Sequence, residues 1–160
     1  MINISRNLYR KARNLWRFKG RFQFVNRSRG FDRLAIIVAG YKEYLWHLTL
    51  KRIARFKPDD IDVCVVSPGL FSERLNKICE ENGWSYLNTK ANKLARAQNI
   101  AIFQHPKAQW IYKFDEDIFI SKNYFEVMLN GYQAIQKEGL FEPGFVAPLI
   151  NVNGFSYIDF

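Results

Sequence analysis

Polar and apolar positions follow two kinds of pattern along this chain from Leu34 onward. Short, continuous apolar runs alternate with longer stretches in which apolar residues recur every three to four positions. The runs are typical of strands buried on both faces, and the periodic stretches are typical of amphipathic helices. The runs predict strands at residues 34–40, 61–67, 84–87, 109–114 and 144–152. The periodic stretches predict helices at residues 41–56, 71–82, 92–104 and 122–137.

The alternation of strands and helices indicates the fold class. Strands separated by helices of this length form βαβ units, which build a parallel sheet. We therefore predict an α/β fold with a mainly parallel sheet and flanking helices. Residues 144–160 end without a turn or a helix that could cover the last predicted strand, so we also expect the domain to be incomplete at its C-terminus.

The first 32 residues differ from the rest in composition. Residues 1–33 contain ten Lys or Arg and one acid, Asp32, and so carry the whole formal charge of +9. Apolar residues recur there at helical spacing, namely Ile4, Leu8, Ala12, Leu15 and Phe22. A basic amphipathic helix fits binding to an anionic membrane surface, with contact to a partner protein and, less favoured, to nucleic acid as alternatives. We therefore divide the chain into a basic arm, 1–32, and an α/β domain, 33–160.

Size and cysteine content restrict the class of protein further. A chain of 160 residues that is 48% hydrophobic can bury one ordinary core. Cys64 and Cys79 lie in apolar patterns and suggest no disulfide framework, which fits a reducing compartment. The sequence shows neither the apolar segment of a signal peptide nor a run of about 18 apolar residues. We expect a cytoplasmic protein that the arm holds peripherally at the inner face of a membrane.

Three consecutive acids follow the fourth predicted strand. Residues 110–120 read WIYKFDEDIFI, with the carboxylates at Asp115, Glu116 and Asp117. Ligands of α/β folds bind where strands end, and alternate residues of an extended chain lie on one side, about 6.6 Å apart. Asp115 and Asp117 can therefore converge on one cation. Because apolar residues flank the acids and an unpartnered buried carboxylate is costly, we favour a metal ion or polar ligand over a solvated turn.

Other polar residues are predicted at the same edge of the sheet. Lys93, Arg96 and Asn99 recur at intervals of three in the helix that precedes the fourth strand, so they share a broad face. The first two strands end in the short loops 39–41 (Ala-Gly-Tyr) and 67–69 (Ser-Pro-Gly). A cleft with carboxylates, an arginine and small loop residues suits a diphosphate ester bound through a metal ion.

The order of these elements resembles the nucleotide-sugar-binding half of GT-A-fold glycosyltransferases, especially glycosyltransferase family 2. The resemblance covers about residues 34–120 and extends more weakly to residue 154. It rests on the opening strand, on the Arg-x-x-Asn pair Arg96 and Asn99, and on the Asp-x-Asp motif that starts at Asp115. It implies a Rossmann-like fold and transfer of a sugar from a nucleotide-diphospho-sugar to a hydroxyl of a glycan or lipid-linked acceptor, in surface polysaccharide or lipooligosaccharide synthesis.

The resemblance also implies roles for individual residues. Asp117 would coordinate Mn²⁺ or Mg²⁺, and Asp115 would contact the ribose or the metal. Arg96 and Asn99 would line the nucleotide pocket. The loop that begins at Ala39 would contact the base and the ribose. Hard divalent cations prefer carboxylate oxygens and substrate phosphates, which agrees with these assignments.

Some features depart from the family or leave alternatives open. Where the family often has an acid that recognises the base, this chain has Ser67, which we include among the nucleotide-binding residues. Nothing downstream matches the family's catalytic-base motif, so the catalytic residue is unassigned. Tyr41 and Trp110 are the aromatic residues we single out for stacking. A nucleotidyltransferase would share the fold and Mg²⁺, although its usual glycine-rich basic loop is reduced here to VAGYKEY. A non-enzymatic RNA- or membrane-binding module is the remaining alternative.

Overall fold

The computed structural model describes residues 21–148, which form an α/β fold with five strands and four helices. The strands are β1 (Phe22–Val25), β2 (Arg33–Val38), β3 (Ile61–Pro68), β4 (Ser85–Thr89) and β5 (Trp110–Asp115). The helices are α1 (Glu43–Phe56), α2 (Glu73–Glu81), α3 (Leu94–Gln104) and α4 (Tyr124–Glu138). In this part of the chain, no helix combines the length and the apolar character needed to cross a bilayer.

All five strands belong to one sheet in the order β1–β4–β3–β2–β5. Strands β4, β3, β2 and β5 run parallel, whereas β1 pairs with β4 in the antiparallel sense. The prediction of a mainly parallel α/β sheet is therefore confirmed, and the arrangement is compatible with a Rossmann-like fold. Val38, the last residue of β2, pairs with Val66 of β3 on one side and with Asp115 of β5 on the other.

Both faces of the central strands are buried, as an all-parallel core requires. One face of the sheet packs against α3 in a single apolar cluster, formed by Leu34, Ile36, Cys64, Val66, Leu87, Ala97, Ile100 and Ala101. Alternate residues of a strand point to opposite faces. Ala35, Ile37 and Val65 therefore face the other side, and each has no exposed surface. This packing holds the strand ends, and the loops that follow them, in fixed positions.

Strand β1 lies inside the segment that the sequence predicted as a helical arm. Phe22 continues the helical spacing of the arm, yet it begins a strand that pairs with β4, from Phe22 opposite Thr89 to Val25 opposite Tyr86. Phe22 and Phe24 alternate along this strand and pack against the apolar cluster under α3. Tertiary packing thus overrides the helical pattern here. Residues 1–20 lie outside the described residues, so the amphipathic helix stays a prediction.

The loop between β1 and β2 is attached to the sheet by the carboxylate of Asp62. This side chain is only 5% exposed and accepts hydrogen bonds from the Ser28 hydroxyl (2.6 Å) and from the amides of Arg29, Gly30 and Phe31 (2.8–3.0 Å). Burial opposes ionisation of Asp62, but these hydrogen bonds outweigh it and lower its pKa. The end of the predicted arm is therefore part of the folded domain.

The chain divides into two compact units, Met1–Ile120 and Ser121–Phe160. The described part of the second unit contains α4, and the Tyr132 hydroxyl donates a 2.7 Å hydrogen bond to the carbonyl of Pro143. The strand predicted at residues 144–152 is absent from its described part, residues 144–148. Pro148 contributes to this difference because proline has no amide hydrogen to donate within a sheet.

Candidate functional site

The loops after β2 and β5 start side by side at the carboxyl edge of the sheet. From β2 the chain continues to β3 on one side, while β5 lies on the other side of β2. Such a reversal of strand order creates a crevice between the loops, and open α/β sheets bind ligands there. The pairing of Val38 with Asp115 places loop 39–42 directly beside the acidic turn 115–118. The candidate site lies at this crevice, within the first unit.

Glu116, the middle acid, joins the two sides of the crevice. Its carboxylate accepts hydrogen bonds from the amides of Gly40 (3.0 Å) and Tyr41 (3.1 Å) and from the indole N–H of Trp46 (2.6 Å). The side chain is only 7% exposed. The sequence predicts that a metal ion or ligand compensates a carboxylate buried here. The carboxylate that is buried is Glu116, and protein donors satisfy it.

The two outer acids, of which Asp115 is exposed and Asp117 is half-buried, pair with lysines. Lys113 donates to both carboxylate oxygens of Asp115 (2.8 and 2.9 Å), and the side chain of Asp115 is 51% exposed. Lys42 donates a hydrogen bond to the Asp117 carboxylate and forms an ion pair with it. This contact lowers the pKa of Asp117 and raises the pKa of Lys42. The amide of Ile118 donates to the Asp115 carbonyl (3.2 Å), so a turn replaces the extended backbone that we assumed for these acids.

The outer carboxylates, Asp115 and Asp117, are the acids of this turn to consider as metal ligands. Among residues 21–148, no group of three or more His, Cys, Asp or Glu side chains is arranged to hold a metal ion. Mg²⁺ is nevertheless usually bound by one or two carboxylates together with substrate phosphates, and Mn²⁺ prefers the same oxygen ligands. Such a cation takes one or two carboxylates from the protein, and Asp115 and Asp117 are the two acids of this turn that the protein has not buried.

Tyr41 presents an aromatic ring that is anchored at the end of β3, next to the crevice. Glu116 holds its backbone amide, and its hydroxyl donates a 3.1 Å hydrogen bond to the carbonyl of Pro68 at the end of β3. The residue is nevertheless 60% exposed. Trp110, the other residue that we singled out for stacking, begins β5 opposite Arg33 and lies about 16 Å along the strand from the acids. Only Tyr41 therefore belongs to this edge.

Ala39 and Ser67 lie at the predicted edge, but their side chains are buried. Ala39 is 1% exposed and Ser67 has no exposed surface. The Ser67 hydroxyl shares a 2.7 Å hydrogen bond with the Tyr86 hydroxyl, which also accepts a hydrogen bond from the Ser72 amide (3.0 Å). The Asn88 amide group donates to the Ser67 carbonyl (2.8 Å). This network positions the loop after β3, while contacts of Ala39 and Ser67 with a nucleotide stay predictions.

Helix α3 begins at the same edge, in the loop that follows β4. Lys93 occupies the position before its first turn and is exposed, Arg96 lies in the first turn and is half-buried, and Asn99 is exposed about one turn further along. In the sheet order, β3 and β2 separate β4 from β5. Arg96 therefore lies at the same edge as the acids but is separated from them by the width of two strands, and Asn99 lies about one turn further along α3, away from this edge.

A close approach at Gly69 brings the loops after β3 and β4 together. The Gly69 amide donates to the Thr89 carbonyl (2.8 Å), and the residue has a φ of +81°. A Cβ atom at Gly69 would lie 2.7 Å from the Cβ of Asn92. Only glycine fits both the left-handed backbone and this spacing. The edge is thus continuous from the loop after β3 to the start of α3.

The exposed side chains around this edge are both apolar and cationic. Five large hydrophobic residues in the loops and first helical turns after β2, β3 and β4 are more than 40% exposed, namely Tyr41, Tyr44, Leu70, Phe71 and Leu94. Lys42, Lys90 and Lys93 lie in the same loops. Apolar rings together with cations fit a ligand that combines an aromatic base with phosphates.

No protein-family model matches this chain, and no curated protein is significantly similar to it. The fold and the site define a class in structural terms: an α/β protein with a mainly parallel sheet and a polar crevice between β2 and β5. Two signals for this crevice were present in the sequence, the acidic triplet and Tyr41. Lys42 and the role of Glu116 were missed, because they depend on contacts between distant parts of the chain. Lys113 was missed although it lies only two residues from Asp115 on the same strand.

Proposed function

We propose that this chain is the donor-binding portion of a metal-assisted glycosyltransferase of the GT-A type. It would transfer a sugar from a nucleotide-diphospho-sugar to a hydroxyl of a glycan or lipid-linked acceptor. The observation that carries the proposal is the pairing of Val38 with Asp115. This pairing sets the turn that carries Asp115 and Asp117 directly beside the loop that carries Tyr41, at the edge where α/β sheets bind their ligands.

The outer acids would hold the metal ion in this proposal. Asp117 and Asp115 would bind Mn²⁺ or Mg²⁺ together with the phosphates of the donor. When bound, the ion acts as a Lewis acid and stabilises negative charge on the departing nucleoside diphosphate. The Glu116 carboxylate would stay hydrogen-bonded to Gly40, Tyr41 and Trp46 and so maintain the geometry of the crevice.

The remaining residues would bind and orient the donor. The exposed ring of Tyr41 offers a stacking surface for the base. The guanidinium of Arg96 suits bidentate contact with phosphate or ribose oxygens, and Asn99 lies on the same helix. We assign no catalytic base, because none of the described residues matches the base motif of the family that the sequence resembles.

The basic arm would place this site near a lipid-linked acceptor at the inner face of the membrane. Seven of its basic residues lie within residues 1–21, and an amphipathic segment with this charge is attracted to anionic lipid. We expect the chain to float with anionic liposomes and to lose this binding when residues 1–20 are deleted. The deletion must stop there because β1 begins at Phe22. Flotation that persists after the deletion would contradict membrane attachment through the arm.

Calorimetry with nucleoside diphosphates tests the proposal. We expect the wild type to bind the nucleoside diphosphate only when Mn²⁺ or Mg²⁺ is present. Asp117→Asn should lose this metal-dependent binding. Asp59→Asn is the matched control, since it removes the same charge in the turn before β3, at the opposite edge of the sheet. Equal effects of the two substitutions would contradict the assignment. Stronger binding of nucleoside triphosphates than of diphosphates and nucleotide sugars would instead favour a nucleotidyltransferase.

A further inference from the structure

The ion pair between Lys42 and Asp117 crosses the crevice where the donor is proposed to bind. Lys42 belongs to the loop after β2, and Asp117 belongs to the turn after β5. Glu116 fixes the backbone of the two residues before Lys42, Gly40 and Tyr41. The Lys42 backbone therefore stays beside the acids. Its side chain is 45% exposed and carries the ammonium on a flexible four-carbon stem, so the ammonium can move while the backbone stays in place.

The lysines neutralise the acids that would bind a metal ion. Asp115 and Asp117 carry two negative charges, and Lys113 and Lys42 supply two positive charges. A divalent cation that arrives alone meets these ammonium groups and must compete with them for the carboxylates. A cation that arrives with a diphosphate brings negative charge with it, and the displaced ammonium then gains a phosphate partner.

We propose that Lys42 exchanges partners on donor binding, pairing with Asp117 in the empty site and with the donor diphosphate in the loaded site. This inference rests on the proposed function and identifies Lys42 as a phosphate-binding residue. It makes the binding of the metal ion and of the diphosphate interdependent, because each removes an obstacle to the other. Metal binding alone is then weak, and metal binding in the presence of the diphosphate is strong.

Lys42 is better placed for this role than Lys113. Lys113 and Asp115 lie two residues apart on one strand, so their contact runs along β5 and does not span the crevice. Lys42 occupies the position just before the first turn of α1, a helix of 14 residues. A helix N-terminus attracts phosphate through its free amides and its dipole. An ammonium released from Asp117 therefore lies next to the surface at which a phosphate is favoured.

Lys42→Gln should change the two binding reactions in opposite directions. Binding of Mn²⁺ alone, measured by electron paramagnetic resonance of the free ion, should tighten by about two- to five-fold, the range expected on removing one exposed ion-pair competitor. Binding of inorganic pyrophosphate at saturating Mn²⁺, measured by calorimetry, should weaken by a similar factor or more. Lys42→Arg keeps the charge and should retain pyrophosphate binding.

Arg74→Gln is the matched control at the same edge of the sheet. Arg74 pairs with Glu43 in the first turn of α1. The substitution therefore removes one positive charge without changing the partners of Asp115 or Asp117. It should leave Mn²⁺ binding nearly unchanged. If the wild type binds both probes and Lys42→Gln behaves like Arg74→Gln, or weakens both reactions, the exchange of partners is wrong. If the wild type binds neither Mn²⁺ nor pyrophosphate, the proposed function itself fails, and the inference with it.

Discussion

Glu116→Ala tests whether the buried acid of the triplet stabilises the fold more than the two outer acids do. The substitution removes the acceptor for the Gly40 amide, which is buried, and for the Trp46 indole, which is 2% exposed. The Tyr41 amide belongs to an exposed residue and is left out of the sum. Each buried donor left without a partner costs about 1–3 kcal/mol. We therefore expect a loss of about 2–6 kcal/mol in the free energy of unfolding.

This loss is large beside the total stability of an ordinary domain, about 5–15 kcal/mol. Asp115→Ala and Asp117→Ala are the matched controls, since each removes a carboxylate that is partly exposed and paired with one lysine. Pairs of this kind contribute about 0–1 kcal/mol. Urea denaturation followed by tryptophan fluorescence measures all three variants. A Glu116→Ala variant within about 0.5 kcal/mol of the controls would refute a stabilising role for the hydrogen bonds of Glu116.

Three further predictions concern Asp62, at the opposite edge of the sheet, and Gly69 and Tyr41, in the loops near the site. Asp62→Asn should destabilise the protein at neutral pH, and its difference from the wild type in urea denaturation should shrink as pH falls below about 4. The lowered pKa of Asp62 contributes stability above the unfolded-state pKa, and acidification through the folded-state pKa removes it. Gly69→Ala should cost more in thermal unfolding than Gly83→Ala, since both have positive φ but only Gly69 has a neighbour within 4 Å. Tyr41→Ala should weaken nucleoside diphosphate binding by about 1–3 kcal/mol in calorimetry while Tyr41→Phe keeps most of it; equal losses would contradict a stacking role.

Most of the parallel part of the sheet could be predicted because three of its strands, β2, β3 and β4, are buried on both faces. All eight residues of β3, IDVCVVSP, are buried. A continuous apolar run of this length predicts a central strand. Strand β1 was missed for the opposite reason. It has only four residues with alternating burial, and its place depends on pairing with β4 and packing under α3. Nothing local distinguishes it from the periodic segment that precedes it.

The position of the candidate site was easier to predict than the roles of its residues. The acidic triplet at the end of a strand indicates the sheet edge from sequence alone, and the structure places it there. Which acid is buried depends on partners about 70 residues away, since the Trp46 indole lies on α1. The buried positions of Ala39 and Ser67 likewise follow from strand pairing, and not from their local sequence.

Paramagnetic broadening by Mn²⁺ tests the central claim most directly, because it locates the metal. With a nucleoside diphosphate present, Mn²⁺ should broaden the amide signals of Gly40, Tyr41 and the 115–118 turn in a nitrogen–proton correlation spectrum. Amides at the opposite edge, such as those of Arg33 and Asp62, should stay sharp because they begin β2 and β3. Broadening centred on that opposite edge, or absent from both edges, would contradict a metal–diphosphate site between β2 and β5.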